Sequence, residues 1–189
     1  MPEKSHFDWS QFTLGIYIAA QPDEIFRLLS TNQGLTTWFL READFAPDPT
    51  PPPAKPRKRI PLKSFDDLPA RGVEEECKLG DRYRWEWYYD GGIRGEGRIT
   101  AVRPPSKLSF TFGDKMEVEV TIRKRGAMCE VVLRQHGIPT NARAKTDVHM
   151  GCRIAWVFFL TNLKSVAEGG LDLRETDRAR SRQLHLVNI

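Results

Sequence analysis

Between Tyr83 and Gln135 the sequence repeatedly alternates apolar and polar residues with a period of two. Met116, Val118, Val120 and Ile122 alternate with Glu117, Glu119, Thr121 and Arg123. Leu108, Phe110 and Phe112 alternate with Ser109 and Thr111, while Cys129, Val131, Leu133 and Gln135 share one parity. Successive strand side chains point to opposite faces, so each run predicts a strand with one dry and one wet side. Tyr83, Trp85, Trp87 and Tyr89 form a further such run against Arg82, Arg84, Glu86 and Tyr88, and Arg98 to Arg103 runs back toward it. Asp90-Gly91-Gly92, Gly113-Asp114 and Arg125-Gly126 stand where tight turns would join neighbours. The expectation is an antiparallel meander with one apolar face.

That face needs a cover. From about Thr146 to Glu168, Val148, Cys152, Ala155, Trp156, Phe159, Leu160, Leu163, Val166 and Ala167 recur at three- and four-residue steps, the stripe of an amphipathic helix that Gly169-Gly170 stops. Ahead of the meander, Gln11 to Ala19 alternates through Phe12, Leu14, Ile16 and Ile18 and reads as a strand. Pro22, Asp23 and Glu24 favour a helix start, with Ile25, Phe26, Leu28 and Leu29 as its apolar side, ending near Ser30. A second short helix is predicted over Gln33 to Trp38.

Two segments differ in composition. Eight of the 13 prolines fall between Ala46 and Gly72, which predicts a PPII-like or mobile loop. The tail from about Glu175 carries Arg178, Arg180 and Arg182. These segments account for the charge balance, 29 Lys+Arg against 25 Asp+Glu and a net +4. Residues 54 to 63 hold five bases (Lys55, Arg57, Lys58, Arg59 and Lys63) and no acid, and residues 178 to 189 hold three bases and no acid. Without them the remainder carries −4. A mildly acidic body argues against a nucleic-acid-binding surface.

The 189 residues suit one domain with appendages. The longest apolar run, Ile154 to Leu160, is far short of the roughly 20 residues that span a bilayer. The N-terminus lacks the apolar stretch of a signal peptide, and Cys77, Cys129 and Cys152 match no disulfide or zinc spacing. A cytoplasmic protein with reduced thiols, no membrane association and no cofactor is expected.

Five segments, in order, resemble a known family: Ala20-Gln-Pro-Asp-Glu-Ile-Phe; Gly34-Leu-Thr-Thr-Trp-Phe; Asp90-Gly-Gly-Ile-Arg-Gly-Glu-Gly-Arg-Ile; Pro104-Pro-Ser-Lys-Leu-Ser-Phe-Thr-Phe; and Ala155-Trp-Val-Phe-Phe-Leu-Thr-Asn-Leu-Lys-Ser-Val-Ala-Glu-Gly-Gly. They thread about 130 of the 189 residues. The chain resembles the Activator of Hsp90 ATPase homologue 1-like (AHSA1-like) proteins of the START/Bet v 1-like (SRPBCC) superfamily. The resemblance implies an α+β helix-grip fold: a curved antiparallel sheet wrapped around a long C-terminal helix, with two short helices after the first strand. It also implies an internal cavity and, as an alternative role, an Hsp90-type chaperone partner in the stress response. The co-chaperones that name the family carry a separate Hsp90-binding domain, for which this chain has no room, and the proline-rich insertion exceeds what the pattern requires between its second and third strands.

Parity independently proposes a cavity lining. Trp85, Trp87, Phe110, Phe112, Met116, Val118, Leu133 and Gln135 come from the sheet, and Cys152, Trp156 and Phe159 from the long helix, with Trp38 at the mouth. Any one aromatic taken alone belongs in a core. Together with one amide, Gln135, they are what a pocket for a small hydrophobic or aromatic ligand requires. A buried Gln135 must find a partner in protein, water or ligand.

Catalysis finds less support. His149 and Cys152 lie three apart and His136 closes a strand, yet Cys152 belongs to the apolar stripe, where a thiol is an inert small hydrophobe, and the two histidines read as surface or rim groups. Gly91-Gly-Ile-Arg-Gly-Glu-Gly opens no helix and reads as a hairpin, not a phosphate loop. Glu74-Glu-Glu reads as a solvated run. A cavity-based cyclase, hydrolase or detoxification enzyme therefore ranks last, behind ligand binding and chaperone contact.

Overall fold

The computed structural model describes residues 7–48, 64–88, 94–113, 115–177 and 179–180. The proposed turn at Asp90-Gly91-Gly92, the basic run Lys55 to Lys63, and Arg178 and Arg182 lie outside the described residues. Among the described residues, seven strands form one curved antiparallel sheet in the order β1-β7-β6-β5-β4-β3-β2. These are β1 (Gln11–Ile18), β2 (Glu42–Ala46), β3 (Arg82–Glu86), β4 (Arg94–Arg103), β5 (Lys107–Phe112), β6 (Met116–Arg125) and β7 (Met128–His136). The meander is as the alternation predicts. β2 had no marker of its own beyond the resemblance; it is only five residues long, and Ala43 and Phe45 supply its buried side.

Two short helices follow β1. In α1 (Pro22–Ser30), the Glu24 side chain accepts from the Gln21 backbone N–H at 2.9 Å, satisfying one of the donors that a helix start leaves free. In α2 (Asn32–Trp38), Thr31 Oγ1 accepts from the Gly34 N–H at 2.9 Å. A Cβ on Gly34 would stand 2.3 Å from the Arg27 carbonyl, so only glycine permits the tight α1–α2 approach.

The C-terminal helix starts earlier than its apolar stripe indicates. Asn141 Oδ1 caps the Ala144 N–H at 2.9 Å and opens α3 (Ala142–Ala144). A π-helical segment, Lys145–Met150, then leads into α4 (Gly151–Ala167). α4 packs against β1, α1 and α2. No helix among the described residues is long and apolar enough to cross a membrane.

Buried polar groups tie α4 to α2. Asn162 Nδ2 donates to the Trp38 carbonyl at 2.7 Å, and Asn162 Oδ1 accepts from the Leu173 N–H at 2.7 Å. Arg174, buried and paired with Asp172, donates to the carbonyls of Leu40 (2.8 Å) and Thr36 (2.7 Å). These carbonyls lie at the end of α2 and just beyond it, where backbone acceptors lack helical partners.

The far end of the proline-rich segment is not a free loop. Phe65, in a 3₁₀ turn over Phe65–Asp67, is buried beneath the guanidinium groups of Arg82 and Arg84. The Arg71 N–H bonds the Phe45 carbonyl at 2.8 Å, and its side chain forms a buried ion pair with Asp81. Phe65 and Arg71 anchor to the folded domain in spite of the surrounding prolines. Glu86, expected on the wet side, is also buried, because Arg41 and Arg94 grip its two oxygens at 2.8 Å each.

Candidate functional site: a half-filled concave face

Strand register brings the predicted lining together. Phe110 lies opposite Val118, Val118 opposite Gln135, and Phe112 opposite Met116, so one row of side chains runs across β5, β6 and β7. What happens above this row differs from end to end.

At one end, α1 and α2 press Leu29, Leu35 and Trp38 onto Trp85, Phe110 and Leu133, leaving a void of only about 10 Å³. Val118 is likewise fully buried. Trp38 is 1% exposed and its Nε1 donates to the Leu28 carbonyl at 2.9 Å, so it sits in the packed end and not at a mouth. Phe39, the next residue, stacks on Trp38 with ring centres 5.1 Å apart and reaches both the packed end and the open end.

At the other end lies a cavity of about 590 Å³. Trp87, Phe112, Met116, Cys152, Trp156 and Phe159, six of the twelve predicted residues, line it. Trp38, Trp85, Phe110, Val118, Leu133 and Gln135 do not; they pack beneath or beside it. Sequence reasoning missed Phe39 and Tyr83. Phe39 stacks on Trp156 with ring centres 5.1 Å apart and meets Phe159 edge-on at 4.8 Å, geometries that aromatic rings favour. Tyr83 shares the parity of Trp85 and Trp87, and its hydroxyl donates to the Thr111 carbonyl at 2.6 Å.

Glycine helps keep this end open. Gly95 pairs with Trp85 and Gly97 with Tyr83 across β3 and β4, so glycine stands where inward side chains would. A Cβ on Gly97 would lie 2.5 Å from the Tyr83 ring. Gly95, Gly113 and Gly151 line the cavity itself. The Gly95/Gly97 parity was legible in the sequence; its pairing with aromatics was not.

Gln135 has the partner its burial demands. It is 0% exposed, its Oε1 accepts from Trp156 Nε1–H at 2.8 Å, and its Nε2 donates to Met116 Sδ at 3.3 Å. The rim carries Arg94, Glu96 and Asp147, each already matched by a charge on the protein: Glu86 at 2.8 Å, Arg82 at 3.1 Å and Arg143 at 3.0 Å. The Arg143 contact, helped by Thr146, holds the Asp147 carboxyl below its ordinary range.

His149 is a correction. It is fully buried, not a surface or rim group, with Nδ1 2.9 Å from the Trp9 carbonyl and the rings of Phe7, Trp9 and Phe12 packed around it. The π-helical segment ends between His149 and Cys152, and only Cys152 reaches the cavity. Burial pushes the Cys152 thiol up, the opposite of what activates a nucleophile. His136 is half-buried, 3.8 Å from Glu117. Among the described residues no group of three His, Cys, Asp or Glu side chains is placed to hold a metal ion. All three cysteines are free.

Comparison with known proteins agrees on the architecture. The fold is similar to that of the Aha1 dimer from Colwellia psychrerythraea, at 17% identity and a TM-score of 0.58, covering 85% of this chain and 97% of that one. A protein from Nitrosomonas europaea is similar at 12% identity and a TM-score of 0.61, covering 87% and 97%. One from Mesorhizobium loti is similar at 15% and 0.60, covering 84% and 97%. At such identities the likeness concerns fold alone. No curated protein matches the chain significantly. Residues 19–168 match the family model described as Activator of Hsp90 ATPase homolog 1-like protein, a span that starts just after β1 and takes in both short helices, the whole meander and α4, and the chain belongs to that family.

Proposed function

We propose that the protein binds a small hydrophobic or aromatic molecule in the 590 Å³ cavity between the sheet and α4. The observation that carries this reading is the contrast within one face: aromatic packing closes one end almost completely, while an equally aromatic end stays open. The volume falls in the range of about 300–1,000 Å³ usual for ligand pockets. Binding is favoured over turnover because Cys152, the thiol in the cavity, is held protonated and the rim charges are already paired. Unpaired cysteines support a reducing, cytoplasmic location.

The test is a screen of hydrophobic and aromatic compounds by tryptophan quenching and thermal shift. Trp87 and Trp156 line the cavity, so binders will quench and stabilise together. A panel without any response overturns the reading.

The family match supports a second reading, contact with an Hsp90-type chaperone. Stimulation of purified Hsp90 ATPase by this protein would establish it, and absence of both binding and stimulation would remove it.

A further inference from the structure

Gln135 is the one fully buried amide among the predicted lining, and the assignment of its two ends follows from chemistry. The indole N–H of Trp156 can only donate, so the atom 2.8 Å from it is the amide oxygen. The NH₂ end therefore faces Met116 Sδ at 3.3 Å. A thioether sulfur is a weak acceptor. A strong donor at full burial thus meets a soft partner, and Met116, together with Cys152, forms part of the cavity wall.

Met116 is half-buried and unbranched, with three rotatable bonds, so its thioether can swing aside at little cost. An oxygen entering between Met116 and Cys152 would then meet the Gln135 N–H directly. A hydroxyl would bring a proton of its own and leave it facing sulfur. A carboxylate would be buried without a counter-charge, because Arg94 on the rim is already engaged by Glu86. An uncharged oxygen that accepts without donating fits both constraints.

We propose that the cavity's ligand is an aromatic carbonyl compound, whose oxygen displaces Met116 Sδ and accepts from Gln135 Nε2–H, making Gln135 a specificity-determining residue. This rests on the cavity-binding reading above and adds to it the chemical class of the ligand.

The experiment compares two probes of equal shape, 2-acetylnaphthalene and 2-isopropenylnaphthalene, titrated into the ¹⁵N-labelled full chain. The ketone is expected to bind about tenfold tighter, the worth of one buried hydrogen bond, and to shift the Gln135 side-chain N–H signals downfield, while the hydrocarbon leaves them in place. Met116→Leu, a volume-conserving change, removes the competing sulfur and is expected to widen the preference. Equal affinities, or a ketone that binds without moving the Gln135 signals, overturn this inference and leave cavity binding standing. If neither probe binds, both fall.

Discussion

The two ends of the concave face are built from the same residue types and finish differently. At the packed end, Trp85, Phe110 and Leu133 meet Leu29, Leu35 and Trp38 from α1 and α2, and the space closes to about 10 Å³. At the open end, Trp87, Phe112, Trp156 and Phe159 meet glycine-bearing strands and the start of α4, and about 590 Å³ remains. Aromatic content therefore does not decide whether a face becomes core or cavity. What decides is whether a second layer of side chains is delivered opposite it. α2 delivers one because Asn162 and Arg174 hold its C-terminal end down. Gly95 and Gly97 withhold one.

The sharpest way to break this contrast is to truncate one aromatic at each end. Trp85→Ala, in the packed end, should cost about 3–5 kcal/mol in urea unfolding, whereas Phe112→Ala, whose ring already faces empty space, should cost about 1–2 kcal/mol. Equal losses would mean that the open end is packed after all.

Glycine supplies the next test. Gly97→Ala drives a methyl into the Tyr83 ring and should destabilise by about 1–3 kcal/mol. Gly151→Ala, on α4 with nothing within 4 Å of the added carbon, should stabilise by about 0.5–1 kcal/mol. The signs, read from thermal or urea midpoints, matter more than the sizes.

Acid should loosen the packed end selectively. Burial raises the Asp172 carboxyl, but Arg174 and Asn162 outweigh it and hold the group below its ordinary value. A carboxyl depressed in the folded state contributes stability that is full above the unfolded pKa, about 3.9, and lost as pH falls through the folded value. Stability of the wild type should therefore drop more steeply below about pH 4 than that of Arg174→Met, in which the depression is relieved. Parallel pH profiles would refute the assignment.

The smallest effect concerns the thiols. Cys152 lines the cavity and should react with iodoacetamide before Cys77 and Cys129, though slowly at neutral pH, because burial pushes it up and pushes the Cys77 thiol to about 12. Mass spectrometry of the labelled peptides reads the order. A bound cavity ligand should slow only Cys152.

Much of this architecture is legible in the sequence. Alternation through Met116–Ile122 and Cys129–Gln135 names the dry face correctly, because a two-residue period survives any tertiary detail once the strand forms. Pro22 and Glu24 mark α1 for local reasons, a fixed φ and a side chain returning to the backbone. Trp38 and Phe39 show where such reasoning stops. They are adjacent and aromatic, yet only Phe39, just past the end of α2, reaches the open cavity, while Trp38 stays within the packed end. His149 shows it again: the π-helical segment alters the rotation between it and Cys152, and a step of three residues no longer means one face. Glu86 is buried where Arg41 and Arg94, from other elements, converge on it.

The sequence by itself determined the local periodicities, and with them the order of elements, the apolar face of the sheet and the helix that must cover it. Backbone geometry and water enforce those at short range. Tertiary structure alone decided how far α4 and α2 extend along that face, and so which aromatics became core and which became cavity wall. That outcome depends on contacts between residues more than 100 positions apart, such as Asn162 with Trp38 and Arg174 with Leu40, and no local pattern encodes a distance in space.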